Sequence, residues 1–193
     1  MRIAIALIAV LSAATPSPAY AQWRLEPFAG VNFAAEHGFV DLDETGKRVH
    51  ALFGGAAAWE WSDAWSVEVE FATAPRFLKG TSGLVETGRL DTFFGNVERR
   101  FGAGTSRVRP FLAAGVGAAR VTLKDALDAF SSTTTLGAMT VGGGAIANMS
   151  VRTQLVGEVR YVRSTYGDAG RAGLGEQFVA FWRTTAGLRI RLP

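Results

Sequence analysis

The residues that most often perform nucleophilic or acid–base chemistry are scarce in this sequence. It has two histidines, His37 and His50, and no cysteine. A Ser/His/Asp arrangement needs a histidine as its base, so it would have to be built in or beside the first long polar segment. Without cysteine, neither a disulfide framework nor a thiolate metal site is possible. We interpret both histidines as solvated loop residues and predict no catalytic site.

Two further patterns resemble ligand sites and fail at a required position. Asp41-Leu42-Asp43-Glu44-Thr45-Gly46 looks like the start of a calcium loop, but Leu52 occupies the closing position, where a bidentate Glu is needed. Gly115-Val116-Gly117 lacks the third glycine and the following helix of a dinucleotide site. We interpret the first as an acidic surface loop and the second as strand glycines, and we predict no metal and no cofactor.

The charged residues are informative through their spacing. From Trp65 to Thr73, one side of a period-2 alternation carries tryptophan, valine and phenylalanine, and the other carries Ser66, Glu68 and Glu70. Successive side chains of a strand point to opposite faces, so this strand has one apolar and one charged face. A soluble sheet can show the same alternation, so the interpretation depends on whether the rest of the chain repeats it and on which face contacts water.

The first residues of the chain indicate export. Arg2 is followed by an apolar run of about a dozen residues and by Ala19-Tyr20-Ala21, which fits a signal-peptidase cleavage site. We predict a secretory signal peptide over residues 1–21 and a mature domain over residues 22–193. Its removal changes the net charge from +3 to +2, and the basic residues are spread along the chain, so we predict no nucleic-acid partner.

The alternation recurs along the mature chain, and the connections alternate in length. The predicted connections after the second, fourth and sixth strands are short, whereas those after the first, third, fifth and seventh are longer and polar. The glycine run Gly142-Gly143-Gly144 leaves the register of the sixth strand weakly specified. The eight predicted strands cover about residues 23–33, 50–61, 65–73, 90–101, 108–122, 136–148, 151–164 and 177–192.

These segments resemble a known family. Arg24 to Phe33 (RLEPFAGVNF), Arg109 to Val121 (RPFLAAGVGAARV), Gly157 to Val162 (GEVRYV) and Ala186 to Leu192 (AGLRIRL) are similar to strands of the small eight-stranded outer membrane β-barrels of the OmpA/OmpX type. The resemblance implies an all-β, closed, antiparallel, up-and-down transmembrane barrel in the outer membrane of a Gram-negative cell. It also implies contact with outer membrane lipids and with the barrel-assembly machinery.

A barrel of eight strands has an interior that side chains just fill, so we predict an ion-paired plug inside it. An interfacial girdle of aromatic residues is expected at the short-turn end. The fifth strand is predicted to place Phe111, Ala113, Gly115, Ala119 and Val121 on its lipid face. The girdle comprises Trp59, Trp61, Trp65, Phe101 and Phe111. The interior charge network comprises Glu26, Glu60, Glu68, Glu70, Glu98, Arg100, Arg120, Glu158, Arg160, Arg183, Arg189 and Arg191.

The predicted function is that of a monomeric anchor that presents four external loops to an unknown external ligand, for surface interaction or adhesion. Three alternatives stay open. One is a narrow ion or small-solute channel, and another is a soluble periplasmic lipocalin-like barrel with its apolar faces turned inward. The third is an outer membrane lipid acyl hydrolase or acyltransferase, although neither histidine is followed two residues later by the serine that a lipid A deacylase of this barrel type would show. The loops are predicted over about residues 35–49, 74–89, 124–135 and 165–176.

Overall fold

The described part of the chain forms eight β-strands. The structure, a computed structural model, describes residues 22–37, 49–78, 87–104, 106–124, 131–164 and 178–192. The strands are β1 (Gln22–His37), β2 (His50–Glu60), β3 (Trp65–Leu78), β4 (Thr87–Arg100), β5 (Val108–Lys124), β6 (Ser131–Asn148), β7 (Thr153–Ser164) and β8 (Val179–Arg191).

Each strand pairs in antiparallel fashion with its neighbour in sequence, and β8 returns to pair with β1, so the sheet is a closed barrel. Closure leaves no strand edge without a hydrogen-bonding partner. The predicted fold is confirmed. The short connections after β2, β4 and β6 are also present, and serine helps to close two of them. Ser62 Oγ accepts from the backbone N–H of Trp65 at 3.0 Å, and Ser150 Oγ accepts from that of Thr153 at 3.0 Å.

Several strands extend further toward the long connections than the alternation indicates. β3 runs to Leu78, β4 begins at Thr87, and β6 begins at Ser131. Their ladders continue through polar residues, as in the pair Lys124↔Ser131 between β5 and β6. The connections after β1, β3 and β5 are therefore shorter than predicted, because backbone pairing does not depend on the apolar contrast that marks a strand in the sequence. The connection after β7 is longer than predicted, since β8 begins at Val179 and not at Gln177. The segments 38–48, 79–86, 125–130 and 165–177 lie outside the described residues.

The outer surface of the barrel is apolar over its middle. Val116 is 71% exposed, Leu112 59% and Phe93 54%, and these side chains lie on adjacent strands. Leaving a large apolar side chain in water costs about 1.5–3 kcal/mol relative to burial, so a continuous band of them requires an apolar solvent. The alternative of a lipocalin-like barrel is contradicted, because that barrel would carry its charged residues outside, whereas here Glu68 and Glu98 are buried. In the part of the chain that the structure describes, no helix is long and apolar enough to cross a membrane.

β5 presents the opposite faces from those predicted. Phe111, Ala113, Ala119 and Val121 are buried inside the barrel, and Arg120 is exposed on the outer surface. Phe111 therefore does not belong to the interfacial girdle, nor Arg120 to the interior network. Both faces of β5 are apolar, so alternation cannot distinguish them. The pairing with β4 does, because directly paired residues share a face, and Ala113 pairs with the buried Glu98.

Candidate functional site

The half of the interior near the short turns is filled by charged side chains that form one connected set of ion pairs, here called the interior charge network. Eleven of the twelve predicted interior residues belong to it, Arg120 being the exception, and Arg24 joins them. Its six cations and six anions are Arg24, Arg100, Arg160, Arg183, Arg189, Arg191, Glu26, Glu60, Glu68, Glu70, Glu98 and Glu158.

Glu98, on β4, is a centre of the network. It accepts hydrogen bonds from Arg189 at 2.6 and 3.1 Å and from Arg24 at 3.2 Å through each oxygen. Its side chain is 1% exposed. Two guanidinium groups thus share one carboxylate, in the forked geometry that arginine offers and lysine does not.

Arg24, on β1, was not predicted as a site residue, yet it connects three strands. Its guanidinium donates to Glu60 at 2.9 Å and to Glu68 at 3.1 Å, in addition to Glu98. It has the same strand phase as Glu26, two residues away, and the alternation of β1 therefore already contained the signal. Its side chain is only 1% exposed.

The network continues toward the middle of the barrel through β7 and β8. Arg160 donates to Glu70 at 2.7 Å and to Glu68 at 3.1 Å, and it also bonds Glu158. Arg183 donates to Glu70 at 2.7 Å and to the hydroxyl of Thr92 at 2.9 Å. Arg189 is joined to Glu26 as well. Every carboxylate in this half therefore faces at least one guanidinium.

At the short-turn end of the barrel the pairing extends to the turns. Arg100 donates to Glu60 at 2.5 Å and to the backbone carbonyl oxygen of Ser62 at 3.0 Å. Arg191 is partly exposed, 3.5 Å from Glu60. Arg109, which was not predicted as a site residue, donates to the Asp63 carboxylate at 2.8 and 3.2 Å and so ties two short turns together.

The other half of the interior contains a cluster of buried apolar side chains, which the sequence interpretation did not anticipate, together with buried polar residues such as His50 and Ser164. The rings of Phe77 and Phe181 meet edge to face, with centroids 5.3 Å apart. Arg183 marks the boundary between the halves, its guanidinium carbon 5.6 Å from the centre of the Phe181 ring. This apolar layer comprises Leu52, Ala72, Ala74, Phe77, Leu90, Phe94, Ala119, Val121, Leu136, Ala138, Val162, Val179 and Phe181. The inward phase of β3 contains the signal, changing from glutamate at 68 and 70 to alanine at 72 and 74.

Four residues of the predicted aromatic girdle, Trp59, Trp61, Trp65 and Phe101, lie at the short-turn end of the barrel. Trp59 is half-buried and stacks edge to face on Trp23, with centroids 5.1 Å apart. Trp65 and Phe101 are each 37% exposed at the short-turn end, and Trp61 lies within the turn that follows β2. Trp23 belongs with this group because it lies at the same end of β1.

His50 differs from its interpretation as a solvated residue. It opens β2 with its side chain 7% exposed, and Nδ1–H donates to the backbone carbonyl oxygen of Arg76 at 2.7 Å. Its ring packs against Phe77, with centroids 5.4 Å apart. His37 lies at the end of β1, and the acidic segment 41–46 lies outside the described residues.

The chemistry open to this interior follows from its pairing. The network carboxylates are held by arginines, and arginine does not release its proton in proteins, so it cannot act as an acid or base near neutral pH. Within the described ranges, no group of three or more His, Cys, Asp or Glu side chains is placed to hold a metal ion. The arrangement fills and braces the barrel.

Comparison with known proteins also indicates a membrane barrel. The family model described as "Outer membrane protein beta-barrel domain" matches residues 4–178. No curated protein sequence matches the chain.

Three solved structures share the fold at low sequence identity. Neisserial surface protein A (NspA) superposes with a TM-score of 0.65 at 15% identity, covering 89% of this chain and 97% of that one. OprG from Pseudomonas aeruginosa gives 0.56 at 14%, covering 89% and 96%. Ail, the attachment invasion locus protein of Yersinia pestis, in complex with the heparin analogue sucrose octasulfate, gives 0.53 at 16%, covering 89% and 99%.

Proposed function

This chain belongs to the outer membrane protein beta-barrel domain family and is an outer membrane protein, and from that premise we propose that it is a closed anchor which presents its four long connections for interaction at the cell surface. The barrel is the scaffold in this proposal, and the segments 38–48, 79–86, 125–130 and 165–177 carry the specificity. In many proteins a rigid scaffold positions variable loops, and the loops carry the binding residues.

The observation that carries the proposal is the filled interior. A solute entering from outside would meet the apolar layer first and the interior charge network second. An ion would have to lose its hydration water to pass the apolar layer. In the network it would then meet carboxylates that are already paired with arginines, such as Glu98 between Arg24 and Arg189. Interiors of eight-stranded barrels are generally filled by side chains in the same manner.

The alternative of a narrow channel is tested by conductance. The purified full-length protein, reconstituted in planar bilayers, is expected to give no unitary current in potassium chloride. The variant Phe181→Ala, which opens the apolar layer, serves to show whether the layer limits passage. A steady unitary current from the unmodified protein would contradict the anchor proposal.

The surface-interaction part is tested on whole cells. Gram-negative cells displaying the protein would be offered heparin-coated beads, a probe chosen because Ail was crystallised with a heparin analogue. Each long segment would be replaced in turn by a short Gly-Ser connection, with heat-modifiable migration as the control for folding. We expect at least one replacement to remove binding that the unmodified protein supports. Binding that survives all four replacements together would contradict a role for these segments.

The enzymatic alternative receives no support from the placement of His50. A general base must face a nucleophile, whereas Nε2 of this residue, the atom left free when Nδ1–H donates to the Arg76 carbonyl, is buried and has no hydrogen-bond partner among the described residues. The partners that we propose are therefore membrane lipids, the barrel-assembly machinery and a ligand of the external segments, with no nucleic acid. The barrel closes within one chain, which supports a monomer.

A further inference from the structure

Arg99 is an arginine on the lipid-facing side of the barrel. It follows Phe93, Gly95 and Val97 in the outward phase of β4 and is itself exposed. Its neighbours in the chain, Glu98 and Arg100, point inward and are buried. The charge is therefore separated from the interior charge network by the wall of the barrel.

The guanidinium lies against two aromatic rings. Its central carbon lies 5.3 Å from the centre of the Trp65 ring and 5.3 Å from that of the Phe101 ring. Both rings are attractive platforms for a cation, and together they restrict the orientation of its planar donor group. A side chain in contact with two rings is preorganised to bind an anion that approaches its N–H donors.

No protein group neutralises this cation within the described part of the chain. The carboxylate of the turn between β2 and β3, Asp63, accepts two hydrogen bonds from Arg109. Arg107, which is exposed in the same turn as Phe101, is itself a cation and cannot neutralise Arg99. The donors of Arg99 thus point to an anion that the membrane supplies.

The depth of Arg99 identifies that anion. It lies two residues from Phe101, where β4 has ended and the short turn begins, and it pairs with Trp65 and Leu112. Short turns of such barrels face the periplasm, and interfacial aromatics mark the headgroup level. One row deeper, Val97 pairs with Val67 and Ala114, which offers an apolar track for acyl chains.

We propose that Arg99, with Trp65 and Phe101, forms a binding site for the phosphate of one phospholipid in the periplasmic leaflet. The guanidinium binds the phosphate oxygens through paired N–H donors, and the acyl chains lie along the apolar row below. The site goes beyond the proposed surface function and depends only on the barrel's residence in the membrane. It uses the wall of the protein and leaves the lumen and external segments free.

The test measures lipid retention. The full-length protein in detergent would be titrated with phosphatidylglycerol and examined by native mass spectrometry. Arg99→Gln is expected to weaken the first lipid adduct by about tenfold or more, the loss typical of one charge-assisted contact. Trp65→Leu is expected to weaken it about threefold through the lost cation–π contact. Arg152→Gln, the same change in a different short turn, is the matched control and should leave it unchanged.

Three results would overturn the site. They are equal weakening by Arg99→Gln and Arg152→Gln, no weakening by Arg99→Gln, and displacement of the lipid by inorganic phosphate at equal concentration. The last would show an anion site without lipid selectivity. Side-chain NMR of the Arg99 Nε–H group provides a second readout, because its resonance should shift on addition of phosphatidylglycerol in the folded protein and not on addition of a neutral diacylglycerol.

Discussion

At the scale of single residues, the interior charge network depends on partners that cannot be replaced by water. Glu98 is 1% exposed and lies between Arg24 and Arg189, each of which is similarly buried. Taking charges out of water is costly, and their mutual attraction compensates only while every member is present. The network is therefore better understood as a specification of register than as a source of net stability.

Removal of one member should expose this dependence. Glu98→Gln leaves Arg24 and Arg189 short of a carboxylate, and we expect the free energy of unfolding in lipid bilayers to fall by about 3–5 kcal/mol, measured by urea titration. The matched control is Arg89→Gln, which breaks the 2.7 Å pair with Asp91, whose arginine side chain is 53% exposed. A surface pair contributes about 0–1 kcal/mol. Equal losses in the two variants would contradict a structural role for the buried network.

At the scale of elements, β6 shows how a strand with little side-chain contrast acquires one register. Its ladder with β5 is continuous over 17 pairs and that with β7 over 11, through the whole glycine run. A Cβ atom on Gly142 would lie 2.6 Å from Cα and 2.7 Å from Cγ of Arg160 and would also meet the Val159 carbonyl. Glycine here leaves the space through which Arg160 reaches its carboxylates.

We therefore expect Gly142→Val to lower the free energy of unfolding by about 1–3 kcal/mol, the usual cost of overpacking. Ala145→Val, on the exposed outer face of the same strand, is the control and should be nearly neutral. Urea titration of both in bilayers makes the comparison. An Ala145 variant that loses as much as the Gly142 variant would show that added bulk is costly on either face of β6, and would contradict a specific role for the space beside Arg160.

The outer face of β5 provides another test at the scale of elements. Val116 lies at the middle of the strand, while Thr122 lies near its external end, and both point outward. We expect Val116→Arg to lower the free energy of unfolding by about 2–4 kcal/mol and Thr122→Arg by about 0–1 kcal/mol, because the cost of a cation depends on its depth in lipid. Equal costs, measured in the same bilayer, would contradict a lipid-facing assignment for Val116.

At the scale of the whole molecule, the barrel carries an apolar band on its outer surface and a charge network in its interior, the reverse of the arrangement in a water-soluble protein. We therefore expect the chain beginning at Gln22 to form β-sheet only in detergent or lipid, as measured by circular dichroism. The folded protein should then migrate faster on a gel when the sample is not heated. A well-folded monomer in plain buffer would be incompatible with side chains such as Val116 and Leu112 facing lipid.

The proposed boundary of the mature domain is tested separately. We expect the protein isolated from the outer membrane of a Gram-negative host to begin at Gln22, since Ala19-Tyr20-Ala21 supplies small residues at both positions that the protease reads. Intact-mass measurement of the purified protein decides this. Retention of residues 1–21 in the membrane form would contradict cleavage.

The sequence alone determined the number of strands, the order of long and short connections, and the faces of strands whose two sides differ in polarity. β3 is the clearest example, because Glu68 and Glu70 alternate with Val67 and Val69. Period-2 patterning is a local property of a strand, so it can be recognised without knowing the rest of the chain. A one-residue slip in pairing would place these charges in lipid, so the pattern also specifies which face points inward.

The tertiary structure decided what depends on distant partners. The faces of β5 follow from its pairing with β4, since both of its sides are apolar. The pairs of the network join residues as far apart as Glu26 and Arg189, or Glu70 and Arg183. The alternation predicts that such residues point inward, but which cation meets which carboxylate is fixed only when barrel closure sets the stagger of every strand. The separation of the interior into a charged half and an apolar half likewise emerges only when the same level of all the strands is compared.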